Sequence, residues 1–176
     1  MTLSEENHLK AIFHLYADTK EAVSTNAIAE VMNNKASSVT DMLKKLADKQ
    51  LINYVKYQGV TLTQKGTQKA ISIIRKHRLW EVFLVEKLNF SWDEVHEIAE
   101  ELEHIQSEKL IERLDAFLGF PQKDPHGDPI PNKEGVFTTT IQTLLSELKQ
   151  GDKGVCAAVK NTSKEFLVYL NKMNIA

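Results

Sequence analysis

The sequence predicts a mainly α-helical protein with one small β-hairpin near its first third and a loop-rich stretch before its tail. Three observations predict it. Apolar residues recur at helical spacing over most of residues 4–118. The pattern changes to strand-like alternation over Leu51–Thr63. All four prolines (121, 125, 129 and 131) and three glycines (119, 127 and 135) crowd between Gly119 and Val136, which reads as a linker or extended surface loop. The predicted divisions are residues 1–63, 64–120, 121–137 and 138–176.

The first helix runs from a cap at Ser4 to about Asp18, with Leu9, Ile12, Phe13 and Tyr16 on one face. Ser24 caps a second helix whose apolar members are Ile28, Ala29, Val31 and Met32, and Asn33-Asn34 turns the chain. A third helix runs from about Ala36 to Lys49. Its inner face is Val39, Met42, Leu43 and Leu46, and its outer face carries Ser37, Ser38, Thr40, Asp41, Lys44 and Lys45. Leu51–Tyr57 and Val60–Thr63 are strands joined by a turn at Gln58-Gly59. Three helices and then a hairpin is the order of a winged helix-turn-helix. Small hydroxyls and amines on the third helix (Ser37, Ser38, Thr40, Lys44) suit a major groove, and Lys56 and Tyr57 near the hairpin tip suit the DNA backbone.

Gln64 to about Asn89 is one long helix with Leu79, Val82, Phe83 and Leu88 on its apolar side. Ser91 caps the next, expected to continue with a bend near Gln106-Ser107 through Leu110, Ile111, Leu114, Phe117 and Leu118. These two helices carry more apolar surface than a small winged helix needs, which suits a dimer interface or, equally, core contact within the monomer. After the loop, Ile141, Leu144 and Leu145 mark another segment, Leu148–Val155 a turn into a strand, and Ser163–Lys172 a short helix capped by Ser163.

The 42% apolar content supports a core, and the apolar runs are too short to cross a membrane. The first residues lack the basic-then-apolar pattern of a signal peptide. A single cysteine, Cys156, cannot form an internal disulfide; a reducing, cytoplasmic setting is predicted. Residues 1–75 carry ten Lys/Arg and seven Asp/Glu, net +3, whereas residues 76–176 carry twelve and seventeen, net −5. A modestly basic first part on an acidic body is compatible with nucleic-acid contact there.

The acidic body holds the most informative pattern. His96, Glu100 and His104 recur every four residues, Glu103 is one turn from Glu100, and the four are expected within roughly a 100° arc of one helix. His77 and Glu81 repeat the spacing on the preceding helix. A Glu/His-rich helix is commonly a solvated face. Here Asp93–Glu108 contains seven acidic residues and no Lys or Arg, so the usual i, i+4 ion pairing is missing and the charge calls for a cation. Imidazole and carboxylate donors without a thiol suit a divalent first-row metal. His96-xxx-Glu100 is not the H-E-x-x-H of a zinc peptidase, and no general base stands outside the ligand set, so an enzyme is not expected. No small-molecule substrate is expected either.

The order of winged helix, His77-Arg-Leu-xxx-Glu81, Glu100-xx-Glu103-His104 and Asp124-Pro-His-Gly-Asp-Pro-Ile-Pro131 resembles the metal-dependent transcriptional repressors of the diphtheria toxin repressor and manganese transport regulator family. The resemblance covers about residues 4–131. It implies a winged helix-turn-helix followed by a helical metal-binding and dimerisation domain. Leu148–Gly154 resembles the start of the SH3-like (FeoA-like) domain of longer members, implying a partial domain over 138–176. It further implies a homodimer on a double-stranded DNA operator, repressing metal-uptake genes when Mn(II) or Fe(II) is bound. The alternative is a metal-independent winged-helix regulator with an acidic dimer face. His77, Glu100, Glu103 and His104 match one ligand set, and His77, Glu81 and His96 an ancillary one. Glu100 stands where iron-type members have cysteine, a hard ligand in place of a soft one, leaning towards Mn(II). In the first helix Asn7 stands where the family has Met or Asp, and Lys10 where the manganese type has Glu. Asn7 offers an amide oxygen; Lys10 offers no ligand. Asp124 and Asp128 replace the Ser and Asn near the iron type's anion site, and His126 reads as a loop residue.

Overall fold

A computed structural model describes residues 1–138 and 142–175. Ile141, expected as an apolar member of the tail, lies outside the described residues. The chain forms two compact units, Met1–Ile74 and Arg75–Ala176.

The first unit opens with α1 (Leu3–Thr19), and its cap is Thr2 rather than the expected Ser4. Thr2 Oγ1 accepts from the Glu5 amide at 3.3 Å while the Glu5 carboxylate accepts from the Thr2 amide at 3.0 Å, a reciprocal capping box. Glu5 in the sequence carried the clue, three residues after a threonine. Ser24 caps α2 (Thr25–Val31) as expected, its Oγ accepting from the Ala27 amide at 3.1 Å. Helix α3 (Ala36–Asp48) follows. Strands β1 (Ile52–Val55) and β2 (Gly59–Leu62) pair antiparallel, with Ile52 opposite Leu62 and Val55 opposite Gly59. Gly59 therefore opens the second strand instead of closing the turn. Its φ is +97°, and an added Cβ would lie 2.9 Å from the Val23 carbonyl. Only glycine meets both demands there, and this lets Val23 pair with Val60. Leu9, Ile12, Ile28, Val39, Leu43, Leu46, Leu51 and Val60 are the heart of the core. Truncating one of these, Leu43→Ala for example, costs about 2–5 kcal/mol.

The boundary between units falls within α4 (Gln64–Leu88). Besides the residues of α4 from Arg75 onward, the second unit contains α5 (Val95–Leu102), α6 (Glu108–Phe117), a single 3-10 turn at Leu145–Glu147, and α7 (Lys164–Lys172). Leu79, Trp80, Val82, Leu84, Val95, Ala99, Ile111, Leu114 and Ile130 form its core.

Five expectations are corrected here. Ser91 does not cap the acidic helix: its hydroxyl bonds the Asp93 carboxylate, its amide donates to Glu94 at 3.1 Å, and α5 starts only at Val95. That helix does not run on either. It stops at Leu102, and Ser107 caps a separate α6, its Oγ accepting from the Leu110 amide at 3.3 Å. Leu88, expected on the inner side of α4, is exposed. The Pro/Gly-rich stretch is not a solvent-borne linker: Asp124, His126 and Ile130 are buried, and Asp124 Oδ1 accepts from the amides of His126 at 2.9 Å and Asp128 at 3.0 Å. This Asx-type turn supplies locally the hydrogen bonds that a buried loop needs. In the tail, no strand forms among the described residues of 142–175, so the expected turn-to-strand at Leu148–Val155 is absent there. Ser163 occupies the N-cap position of α7 without a side-chain hydrogen bond.

Candidate metal centre

The ligand-type residues at α5 are displayed unequally. The four acidic and imidazole residues expected on one arc differ sharply in exposure. His96 and Glu100, within the helix, are half-exposed, their side chains 50% and 48% accessible. Glu103, at the C-cap position, is wholly buried at 0%. The His104 side chain is nearly so. Glu103 keeps helical geometry, its amide donating to the Ala99 carbonyl at 2.8 Å, and its carboxylate faces His77.

His77, on α4, is the hub. Its Nδ1 lies 2.6 Å from Glu103 Oε2, its Nε2 3.0 Å from Glu81 Oε1 and 3.2 Å from His96 Nδ1. His96 Nε2 is 3.7 Å from Glu100 Oε1, and His104 Nε2 is 3.7 Å from Glu103 Oε1. The i, i+4 spacing of His77 and Glu81 thus places both on the same face of α4. His77, Glu81 and His96 each present a ligand atom within 4.8 Å of the others.

A second group was missed in the sequence. Glu81, Asp124 and His126 likewise converge within 4.8 Å, and all three are buried. Glu81, only 2% exposed, belongs to both groups: Oε1 faces His77 and His96, the latter at 3.4 Å, and Oε2 faces His126 Nδ1 at 3.6 Å. Burial pushes the Glu81 pKa up, but the imidazoles of His126, His77 and His96 outweigh burial and hold the carboxyl well below the usual range. Burial lowers the His126 pKa, and Glu81 more than reverses this, holding the ring above the ordinary imidazole value. Asp124 goes the other way. Burial first, and then the charges of Glu81 and Asp128, push its pKa up to about 6, and the opposing pull of Arg78 does not restore it. Arg78 Nε lies 3.4 Å from Asp124, its Nη2 3.4 Å from Asp128, and its Nη1 donates to the Pro129 carbonyl at 2.5 Å. Asp124 and Asp128 thereby occupy the arginine between them.

The donor set fits a divalent cation. Buried carboxylates crowd against neutralisable imidazoles, all donors are nitrogen or oxygen, and the one cysteine, Cys156, is exposed and in neither group.

In the first unit, Ser37, Ser38 and Lys44 are exposed on α3 and Thr40 is half-buried, its hydroxyl donating to the Ala36 carbonyl at 2.9 Å. Lys44 pairs with Asp41 at 3.1 Å. Lys56 and Tyr57 are exposed at the hairpin tip, with the ammonium 4.9 Å from the ring centre. Asn7 is on α1, and its Oδ1 is buried with no hydrogen-bond partner among the described residues.

Residues 1–60 match the family model described as the iron dependent repressor N-terminal DNA binding domain, and residues 63–132 match the iron dependent repressor metal binding and dimerisation domain. An uncharacterised HTH-type transcriptional regulator of Methanocaldococcus jannaschii is 37% identical over 118 residues, 67% of this chain and 94% of that one. The chain belongs to the iron-dependent repressor family. It is a metal-dependent DNA-binding transcriptional repressor and not an enzyme. Another relative is the iron-dependent repressor IdeR of Mycobacterium tuberculosis, 32% identical over 126 residues, 72% of this chain; the chain covers 54%, about half, of that relative's length. Among solved structures, a manganese-dependent transcriptional repressor in complex with manganese superposes with a TM-score of 0.86 at 39% identity, over 98% of this chain and 79% of that one. The matched models pair a DNA-binding domain with a dimerisation domain, consistent with a homodimer on DNA. Among the described residues, no helix is long and apolar enough to cross a membrane.

Proposed function

We propose that this iron-dependent-repressor family member is a cytoplasmic homodimer that answers to Mn(II) and represses metal-uptake genes. The observation that carries the reading is the Glu81 carboxylate, set between His77 and His96 on one oxygen and His126 on the other, in a donor set without sulfur. His77, Glu81 and His96 hold one ion, with Glu100, Glu103 and His104 around that group, and Glu81, Asp124 and His126 hold another. Mn(II), when bound, supplies positive charge that neutralises the facing carboxylates and fixes the donor atoms relative to one another.

The chain's own residues do the rest. Glu81 and Glu103 orient the His77 ring from opposite nitrogens. Arg78 steadies the loop that carries Asp124 and His126. Ser37, Ser38, Thr40 and Lys44 enter the major groove, and Lys56 and Tyr57 meet the backbone. Exposed Leu88, Phe90, Leu110, Phe117 and Phe120 on the second unit form the dimer face. A two-fold dimer calls for a palindromic operator with half-sites a whole number of helical turns apart. Whatever factor the DNA-competent state gains in cation affinity, DNA gains on cation binding, typically about 1–3 kcal/mol.

The test is fluorescence anisotropy of labelled DNA from upstream of this gene and of neighbouring metal-transport genes. The protein is used stripped of metal, with Mn(II), with anaerobic Fe(II), and after adding chelator. Binding that appears with Mn(II) more strongly than with Fe(II), and is lost to chelator, is the expected result. Equal binding with and without metal overturns the switch, and stronger activation by Fe(II) overturns the choice of effector.

A further inference from the structure

His126 is gripped from the side opposite Glu81. Its Nε2 donates to the Trp92 carbonyl at 2.8 Å, which leaves Nδ1 as the nitrogen facing Glu81. A carbonyl only accepts, so this bond fixes the tautomer of the neutral ring. The Trp92 indole lies nearly parallel to the imidazole, with ring centres 5.9 Å apart and planes inclined by 22°. Trp92 is itself tethered to the C-terminal helix. Its Nε1 donates to Asn171 Oδ1 at 2.6 Å, and the other arm of the Asn171 carboxamide donates to Asp93 at 3.1 Å. A second tether reaches the His126 backbone, whose carbonyl accepts from the Val159 amide at 3.0 Å. The approach is so close that a Cβ on Gly127 would sit 2.1 Å from the Ala157 carbonyl and 2.5 Å from Ala158 Cα. Leu167 and Leu170 bury the inner face of α7.

We infer that Trp92 and Asn171 are positioning residues for the group formed by Glu81, Asp124 and His126, holding the His126 ring so that Nδ1 faces the ligand position. The tail is then part of the metal centre's support, not an appendage to it. The inference rests on the assignment of Glu81, Asp124 and His126 as ligands. Outer contacts that fix the ring of a ligating histidine typically change metal affinity by about 10–100-fold when removed.

The experiment uses the full chain as wild type, Asn171→Leu, Trp92→Phe and, as a control, His126→Ala. In metal-free protein, at a pH where the ring is neutral, long-range ¹⁵N–¹H correlation reports which His126 nitrogen carries the proton. Mn(II) titration followed by the EPR signal of the free ion then resolves the two groups. The wild type is expected to show the proton on Nε2 and two classes of Mn(II) site. Asn171→Leu is expected to mix the tautomers and to weaken the His126-dependent class about tenfold, leaving the other class within about twofold. Trp92→Phe, which keeps the carbonyl and an aromatic ring, is expected to act in the same direction more mildly; should Asn171→Leu fail to fold, it decides alone. An unchanged tautomer with unchanged affinities overturns the inference. So does equal weakening of both classes, which marks support of the fold alone. Unaltered Mn(II) binding by His126→Ala overturns something else, the ligand assignment itself.

Discussion

The two candidate metal groups share a carboxylate and little more. The group around His77 is built from two helices and stays open to solvent through His96, half of whose side chain is accessible. The group around His126 is built from one helix and a loop, and all three of its members are buried. The difference shows in the electrostatics. In the buried group, Asp124 is forced towards its protonated form even with Arg78 beside it. Glu81, facing three imidazoles, is driven the opposite way. Burial alone therefore does not set the ionisation of a carboxylate; the sign of what faces it does.

The substitution with the largest expected effect breaks both groups at once. Glu81→Gln keeps the shape and removes the shared charge, so Mn(II) affinity should fall at least about 100-fold in both classes of site, measured by titration, and metal-dependent DNA binding should vanish with it. Next come two changes that separate the groups. His126→Ala and His96→Ala should each weaken one class of site by about 10–100-fold and leave the other within about threefold. Losses that always come together would show a single centre instead of two.

Asp124→Asn sharpens the contrast through stability. Its Oδ1 can still accept from the His126 and Asp128 amides. The folded pKa of Asp124 is raised to about 6. Its stabilising contribution is thus fully present below the unfolded value near 4 and is lost as pH rises through about 6. Metal-free Asp124→Asn should therefore melt above wild type at pH 7.5, by about 1–3 kcal/mol, with the difference closing towards pH 4. The smallest expected effect is in the other unit, with the opposite sign. The Lys49 ammonium, 2.6 Å from the buried Glu5 carboxylate, holds the Glu5 pKa low against the pull of burial. That contribution is present above the unfolded value near 4.5 and is lost as pH falls. Glu5→Gln should cost about 1 kcal/mol at neutral pH, and this loss should shrink in acid when unfolding is followed at several pH values.

The first group was legible in the sequence and the second was not, for a physical reason. Helical period converts spacing into proximity, so His77 with Glu81 and His96 with Glu100 could be paired on sight. Spacing alone did not separate the buried Glu103 and His104 from the half-exposed His96 and Glu100. His126 gave no periodic signal. It lies among prolines and glycines, a composition that reads as solvent-borne, and its burial depends on Ile130 joining the core and on Arg78 reaching Asp124, contacts tens of residues apart. The one local hint was the Asp124-Pro-His126-Gly-Asp128 run, an Asx turn with its histidine held inside it. The three-helix-and-hairpin order of the first unit was readable throughout, since its helices and strands follow local periodicity and turn signals.

The double duty of Glu81 also constrains how such a protein can diverge. A lineage retuning one group for a different ion cannot exchange this carboxylate without disturbing the other, so inherited variation is channelled to the residues that serve one group alone: Glu100 and His96 on one side, Asp124 and His126 on the other. Selectivity can drift at the periphery while the pivot stays fixed.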